Sequence, residues 1–178
     1  MGEIEELASL IKIRKYVEAD REQCHTLWKE LTEWHREIYQ DPTIGGEHPE
    51  EGFNKHLALV GPNHLWVAMH GSQIVGLTGL IMKEKQFPVV EAEIEPLIVG
   101  KSSRQKGVGT QLFETVISEA RKRGVRFLSI QPVARNIETI RFLYKRGFRN
   151  LGQIELFMDF TKYTWKRGPS LHGCKFNY

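Results

Sequence analysis

The sequence predicts an α/β fold, with a mixed central sheet of about six to seven strands flanked by helices. Segments that alternate with period two, typical of strands, are interspersed with segments of helical period. The 178 residues are 40% hydrophobic and 26% charged, values that are typical of a globular domain and not of a disordered chain. The sequence contains no internal repeat and no Ser/Gly linker, so a single domain over 1–178 is expected.

The first third of the chain is predicted to form a strand, two helices and a loop. Residues 11–17 alternate like a strand, and Asp20, with a glutamine three residues later, is typical of a capping box that begins a helix. That helix should run to about Tyr39, because its apolar residues Leu27, Leu31, Trp34 and Ile38 recur at helical spacing. Residues 40–52 predict a loop from their Pro, Gly and acidic content, and a short helix is expected around 51–59.

The rest of the chain carries most of the predicted sheet. Strands are expected at 65–69, 73–82, 89–99, 125–133 and 153–160. A helix over 107–123 ends at Gly124, a residue typical of helix C-termini. Asn136 begins another helix, and Gly147 closes it. This order of strands and helices predicts a mixed sheet.

Composition excludes several classes of protein. No apolar stretch approaches the roughly 18 residues of a membrane-spanning helix, and the N-terminal segment is acidic where a signal peptide would be basic. Two cysteines, Cys24 and Cys174, are too few for a disulfide framework, which favours a cytoplasmic location. The seven histidines show no recognised set of ligand spacings, so no metal is expected.

Basic residues concentrate at the C-terminal end of a chain whose net charge is +3. Residues 160–178 contain no acidic residue and four basic ones, which are Lys162, Lys166, Arg167 and Lys175. Four charges are few for a nucleic-acid contact, and chain termini are often simply solvated. We therefore expect a core of about 11–160, a basic tail over 161–178, and neither a nucleic-acid nor a membrane partner.

The segment from Glu95 to Gly109, EPLIVGKSSRQKGVG, carries chemical information. A strand runs into a basic loop that contains glycine, and the loop leads directly into an amphipathic helix. A helix N-terminus presents unpaired N–H groups and a partial positive charge, which suit phosphate oxygens. Gly107 and Gly109 lack a Cβ, and Arg104 and Lys106 add positive charge. The segment predicts a site for a phosphate-bearing ligand.

The loop differs from two familiar phosphate-binding motifs. The pattern GxxxxGK[ST] is absent, and GxGxxG fails because Leu112 stands three positions after Gly109. What remains is R-x-x-G-x-G over 104–109. This pattern resembles the pyrophosphate loop of the GCN5-related N-acetyltransferase (GNAT) superfamily.

Two further blocks match that family in its own order. Residues 66–76, with WVAM, a tight turn and IVG, resemble its central hairpin, and residues 136–148 (NIETIRFLYKRGF) resemble its N-x-x-A-x-x-F-Y-x-x-x-G-F segment. The resemblance covers about residues 11–160 and implies a sheet that is splayed at an acyl-CoA site. The segments LWKELTEWHREIY and LGQIELFMDF are loosely similar to aminoglycoside 6'-acetyltransferase-type members.

The resemblance implies acetyl-CoA as co-substrate. Its pantetheine arm would pair with the main chain of Leu97, Ile98 and Val99. Its pyrophosphate would lie on the backbone N–H groups of Arg104, Gln105, Lys106, Gly107, Val108 and Gly109, with Thr110 close by. Asn136 stands where the family's asparagine contacts the cofactor, and an asparagine there also suits an ordinary helix N-cap.

The implied reaction is direct transfer of an acetyl group from a thioester to an amine. A free alkylamine has a pKa of about 10 and attacks only when neutral, so a base must remove a proton. Glu95 occupies the position where many family members place this glutamate. Glu91 and Glu93 share its face of the strand, so the three carboxylates could equally bind a cationic substrate, and Glu93 is the second candidate base.

The resemblance is incomplete at the general acid. Family members commonly carry a tyrosine seven residues after the asparagine, where this chain has Leu143 and then Tyr144. One residue turns a helical side chain by about 100°. Three interpretations stay open: Tyr144 is the acid, coenzyme A leaves as an unassisted thiolate, or Tyr144 is a core residue.

The predicted acceptor is the primary amine of a small molecule. Aromatic residues of the first helix and carboxylates of the following loop suit a cationic amine; they are Trp28, Trp34, His35, Tyr39, Asp41, Glu47, Glu50 and Glu51. One alternative is acetylation of a protein lysine or N-terminus, and another is a non-catalytic acyl-CoA-binding regulatory module. Dimers are common in the family, so a homodimer is one assembly that the resemblance allows.

Overall fold

The computed structural model describes residues 10–83, 89–161 and 163–178. The chain forms two compact units, Met1–Gln131 and Pro132–Tyr178. The prediction of a single domain over 1–178 stays a prediction.

The first unit is a five-stranded mixed sheet with helices on both faces. Its strands are β1 (Ile11–Lys15), β2 (Leu65–His70), β3 (Gln73–Met82), β4 (Glu91–Val99) and β5 (Phe127–Ser129). They lie in the order β1-β2-β3-β4-β5, antiparallel except for the parallel pair β4 and β5. Its helices are α1 (Arg21–Tyr39), α2 (Glu51–Val60) and α3 (Val108–Lys122). The predicted α/β class and mixed sheet are confirmed.

Each face of the sheet has its own apolar core, because neighbouring strand residues point to opposite faces. On one face, α1 and α2 pack against the sheet through Leu27, Phe53 and Leu77. On the other face, α3 contributes Val108 and Leu112. The site-bearing strand β4 is thereby fixed between helices on both sides.

The N-terminus of α1 is not held by the predicted capping box. The Asp20 carboxylate accepts hydrogen bonds from the Arg14 guanidinium at 2.6 and 2.7 Å and from the Val17 N–H at 2.9 Å. Gln23 instead accepts a hydrogen bond from the N–H of Ile74. Both side chains tie α1 to the sheet, which a local capping pattern does not reveal.

The second unit contains α4 (Ile137–Lys145) and a hairpin of β6 (Arg167–Leu171) and β7 (Cys174–Asn177). Part of the predicted basic tail therefore folds as two paired strands. Arg135 holds this unit together: it is buried, and its guanidinium lies over the Tyr163 ring and donates to the Tyr178 carbonyl.

The predicted strand over 153–160 is wrong. In the described structure this segment has no regular secondary structure, and most of its apolar side chains are exposed. Asp159 instead accepts hydrogen bonds from the Thr161 N–H and the Trp165 indole N–H. Alternation is a local signal, whereas a strand also needs a partner for its ladder. The expected strand over 125–133 is likewise shortened to Phe127–Ser129.

No helix within the described ranges is long and apolar enough to cross a bilayer.

Candidate active site

The sheet opens along β4. Its first residues, Glu91–Glu93, pair with β5, and the pairing ends there in the described chain. Leu97, Ile98 and Val99 continue along β4, paired with β3 on the other side only. The main chain of these three residues therefore borders the gap where β4 and β5 separate, which is the splay that the resemblance implies.

The register between β3 and β4 shifts between Thr78 and Leu80. Gly79 lies at this irregularity, and a Cβ there would collide with the carbonyl oxygen of Glu95. That carbonyl accepts a hydrogen bond from the Nε2 of His56, on α2, at 3.0 Å. At this irregularity Glu95 has no paired residue on β3, and its carbonyl oxygen accepts its hydrogen bond from the buried His56 side chain instead.

Two carboxylates on β4 differ in their surroundings. Glu93 forms an ion pair with the Lys83 ammonium at 2.9 Å, and its side chain is 13% exposed. The Glu95 side chain is 52% exposed. Partial burial, and secondarily the negative charge of Glu93, raise the pKa of Glu95 above that of an ordinary glutamate. A carboxyl with a raised pKa and an exposed face is suited to accept a proton.

The loop between β4 and α3 leads directly into a helix N-terminus. A 3₁₀ turn over Lys101–Ser103 leads to left-handed conformations at Gln105 (φ 61°) and Gly107 (φ 82°), and α3 begins at Val108. The first N–H groups of a helix have no partner within the helix and carry a partial positive charge. A Cβ at Gly109 would meet only Val99, at an ordinary 3.4 Å. Packing within the protein therefore does not require glycine at 109.

Side chains from α1 and the loop itself fix this loop. The Arg104 Nε donates to the Val99 carbonyl at 3.0 Å, and the guanidinium lies 5.4 Å from the Trp34 ring centroid. Glu30 accepts a hydrogen bond from the Lys101 N–H. Trp34, which the sequence grouped with the acceptor residues, thus contacts the loop between β4 and α3.

A pocket lies between α1, the following loop and α2. Its charged lining includes Glu47, Glu51 and Lys55, and Trp28 provides an aromatic wall. Arg36 fixes the loop by donating to the carbonyls of Ile44 and Gly46, at 2.8 and 2.6 Å. The remaining lining residues are Thr32, Gly45, His48, Pro49 and Gly52.

The predicted site residues fall into two groups. Glu95, Leu97–Val99 and 104–110 form one continuous strand, loop and helix start in the first unit. Asn136 and Tyr144 belong to the second unit. The Asn136 side chain accepts a hydrogen bond from the Thr139 N–H at 3.0 Å. Asn136 is therefore a helix N-cap, which is one of the two roles that the sequence predicted for it.

Tyr144 is not a core residue. Its side chain is exposed, whereas Leu143 before it is buried. The core interpretation of Tyr144 is therefore wrong.

The sequence analysis did not identify His56 as a partner of Glu95. It is buried, and its ring packs 5.1 Å from the Trp28 ring. Burial lowers the pKa of His56. No sequence pattern links residues 56 and 95, because the contact depends on how α2 lies against β4.

Among the described residues, no group of three or more His, Cys, Asp or Glu side chains is placed to hold a metal.

Sequence comparison finds a family and a relative. The sequence model of the acetyltransferase (GNAT) family matches residues 28–148. The uncharacterized N-acetyltransferase YsnE of Bacillus subtilis (strain 168) is 29% identical over 104 residues, a match that covers 53% of this chain and 66% of that protein. The match therefore spans slightly less than two thirds of this relative.

Structure comparison finds the same fold in solved proteins. A transcriptional regulator from Bacillus halodurans C-125 is 25% identical with a TM-score of 0.65, covering 84% of this chain and 99% of that one. The aminoglycoside acetyltransferase meta-AAC0020 from an uncultured soil metagenomic sample, in complex with sisomicin, is 18% identical (TM-score 0.63; 88% and 99% covered). The aminoglycoside N-acetyltransferase AAC(6')-Iy in complex with CoA is 16% identical (TM-score 0.61; 85% and 95% covered). The last two identities indicate a shared fold alone.

Proposed function

Since the chain belongs to the acetyltransferase (GNAT) family, whose members transfer acetyl groups to amines, we propose that it acetylates the primary amine of a small cationic molecule with acetyl-CoA as donor. The observation that carries the proposal is the continuous arrangement of the splayed strand β4, the glycine loop and the N-terminus of α3. Protein-lysine acetylation and non-catalytic acyl-CoA binding are outcomes that the experiments below distinguish.

The chain offers a suitable cradle for coenzyme A. The main chain of Leu97–Val99 borders the splay and would pair with the pantetheine arm. The N–H groups of 104–109 would hold the pyrophosphate, helped by the positive end of α3. Gly109 supports this fit. Packing within the protein leaves room for a Cβ at this position, so the close approach of a phosphate would explain why the residue is glycine. Thr110, next in the first turn of α3, lies beside these groups.

The acceptor proposal depends on the pocket beside α1. Glu47 and Glu51 supply negative charge and Trp28 an aromatic face, and together they favour a cationic amine over an anionic or apolar acceptor. Lys55, in the same lining, repels positive charge, so it disfavours an acceptor in which every polar group is an ammonium. We infer an acceptor with a few separated amines and polar groups between them.

Glu95 is the proposed base. It takes a proton from the acceptor ammonium, directly or through water, and the neutral amine then attacks the thioester carbonyl carbon that bound acetyl-CoA supplies. Glu93 is the weaker candidate because its carboxylate is largely buried and paired with Lys83.

Tyr144 is the proposed acid for the departing sulfur, with unassisted departure as the alternative. A thiol has a pKa of about 8.5, so its thiolate is a tolerable leaving group at neutral pH. Replacement of Tyr144 by Phe distinguishes the two: a reduced kcat with an unchanged acetyl-CoA affinity supports the acid role.

Calorimetric titration with acetyl-CoA is the first test. Saturable binding by the wild type, lost in Gly107→Glu with Gly109→Glu, would support the cradle, because two carboxylates at the loop repel the phosphates. Gly124→Glu is the control: it places one carboxylate at the opposite end of α3, at a glycine whose φ is positive like that of Gly107, and it should bind normally. A wild type that binds no acetyl-CoA and carries no co-purified CoA contradicts the proposal.

The second test is a panel of acceptors with detection of the released thiol. Aminoglycosides, whose amines are separated by hydroxyl groups, should release more CoA than small polyamines, and a lysine peptide should release none. We expect Glu95→Gln to lower kcat by about 100-fold or more with unchanged acetyl-CoA affinity. Activity on the peptide alone would favour the protein-acetylating alternative, and binding without thiol release from any amine would favour the non-catalytic one.

A further inference from the structure

His56 is a buried polar residue in the middle of α2 that contacts two other elements of the fold. Its ring lies between the Trp28 ring of α1 and the backbone of β4. Trp28 also lines the proposed acceptor pocket. His56 therefore contacts both a residue of that pocket and the proposed base.

The hydrogen bond to β4 fixes the tautomer of His56. A carbonyl oxygen only accepts hydrogen bonds, so the Nε2 atom, 3.0 Å from the Glu95 carbonyl oxygen, carries a hydrogen and donates it. Burial lowers the pKa of the ring, which is therefore neutral at pH 7. A neutral ring that is protonated at Nε2 has a lone pair at Nδ1.

The Nδ1 atom lies near the side-chain carboxylate of Glu95, beyond hydrogen-bond distance in this structure. The Nδ1 atom lies 3.9 Å from the Oε1 atom of Glu95. Two acceptors so placed bind each other only when a proton lies between them. Within the described ranges, the charged group that acts on Glu95 is Glu93, on β4, which itself pairs with the Lys83 ammonium. The neighbour of His56 on α1 is the uncharged ring of Trp28.

We propose that His56 is a positioning residue for acetyl transfer, which holds the Glu95 backbone through Nε2–H and accepts a hydrogen bond at Nδ1 from the Glu95 carboxyl once it is protonated. The inference rests on the proposed function. The ammonium of the acceptor gives its proton to the Glu95 carboxylate and becomes a neutral amine. The resulting carboxylic acid donates its O–H to Nδ1, so the proton is held away from the amine during attack.

The test uses two substitutions that separate the two nitrogen atoms. In His56→Gln, an amide N–H replaces the Nε2 donor, and an amide oxygen, which is far less basic than an imidazole nitrogen, replaces the Nδ1 acceptor. In His56→Leu, both groups are lost. We expect His56→Gln to lower kcat/KM by about tenfold or more with acetyl-CoA affinity within twofold of wild type. The acid limb of its pH profile should move to lower pH, because a hydrogen bond to the neutral carboxyl raises the pKa of Glu95 and its weakening lowers it.

A purely structural role predicts a different result. If His56→Gln retains the kcat/KM and the acid limb of the wild type while His56→Leu loses stability, the carbonyl hydrogen bond is the whole function of His56, and the proposal is overturned. His70→Gln, a substitution of the same type at the end of β2, should leave both quantities unchanged.

A measurement without any acceptor separates this inference from the proposed function. The ¹³C signal of the Glu95 carboxyl reports its pKa, and ¹⁵N signals of the ring report the tautomer of His56. We expect the Nε2–H tautomer at pH 7 and a lower pKa of Glu95 in His56→Gln but not in His70→Gln. The Nδ1–H tautomer, or an unchanged pKa, overturns the inference even if acetyl transfer is found. Failure of every acceptor with the NMR result intact overturns the proposed function instead.

Discussion

At the residue scale, the carboxylates of β4 differ although their spacing makes them equivalent. Glu91, Glu93 and Glu95 alternate on one face of the strand, and sequence alone offers no physical criterion for choosing among them. Lys83 pairs with Glu93 at 2.9 Å, which leaves Glu95 as the carboxylate with a raised pKa and a half-exposed side chain. The environment, not the residue type, therefore favours Glu95 as the proposed base.

Replacement of Glu93 tests this electrostatic relation. Glu93→Gln removes a negative charge that raises the pKa of Glu95 and releases the Lys83 ammonium, and both changes favour the ionised form of Glu95. Since the base acts only above its pKa, we expect the acid limb of kcat/KM to move down by about half to one pH unit. The measurement is a pH–rate profile, with Glu91→Gln as the control. A limb that moves upward or stays in place contradicts the assignment of Glu95.

At the element scale, the two ends of α3 use glycine for different reasons. Gly124 has φ 69° after the helix C-terminus, a conformation that favours glycine. Gly109 lies in the first turn with φ outside the left-handed region and room for a Cβ. A glycine that the fold does not require, beside a helix N-terminus, is better explained by a ligand.

Alanine substitutions at these two glycines should have opposite effects. Gly109→Ala should raise the free energy of unfolding by up to about 1 kcal/mol, because alanine is the better helix former, while weakening acetyl-CoA binding. Gly124→Ala should lower the free energy of unfolding by about 1 kcal/mol and leave acetyl-CoA binding intact. Urea unfolding and calorimetry give both quantities. If Gly109→Ala destabilises the protein, the glycine has a structural role instead.

At the scale of the whole molecule, a partly buried ion pair joins the first strand to the start of α1. The hydrogen bond from Arg14 holds the pKa of Asp20 below its ordinary value, despite the opposing effect of burial. A carboxyl with a lowered pKa stabilises the folded state above the unfolded-state pKa of about 3.9. That stabilisation is lost as the pH falls through the lowered pKa.

Asp20→Asn should therefore destabilise the protein by about 1–2 kcal/mol at pH 7, a value that allows for solvent screening at the partly exposed Arg14. The difference from wild type should shrink as the pH falls below about 4, because the wild-type carboxyl becomes neutral as well. Urea unfolding at pH 7 and pH 3 measures it, and Glu22→Gln, at an exposed position of α1, is the control. A difference that is the same at both pH values would show that charge is not its source.

The accuracy of the sequence predictions depended on how local each signal was. The predicted range of the second hairpin strand, 73–82, matches β3, and the helices of the first unit lie within a few residues of expectation. Their signals are periodicity and end residues, which the chain carries locally. The strand predicted over 153–160 was wrong because its alternation has no ladder partner in the described structure.

The sequence by itself determined the α/β class, the family, and the strand, loop and helix start that form the proposed cofactor cradle, because these features depend on residues close together in the chain. Only the tertiary structure decided which carboxylate of β4 is engaged by Lys83 and that Trp34 contacts Arg104. It also placed the ring of His56 against Glu95. These contacts join residues far apart in sequence, and their geometry is set by how helices pack on the sheet, which no local spacing encodes.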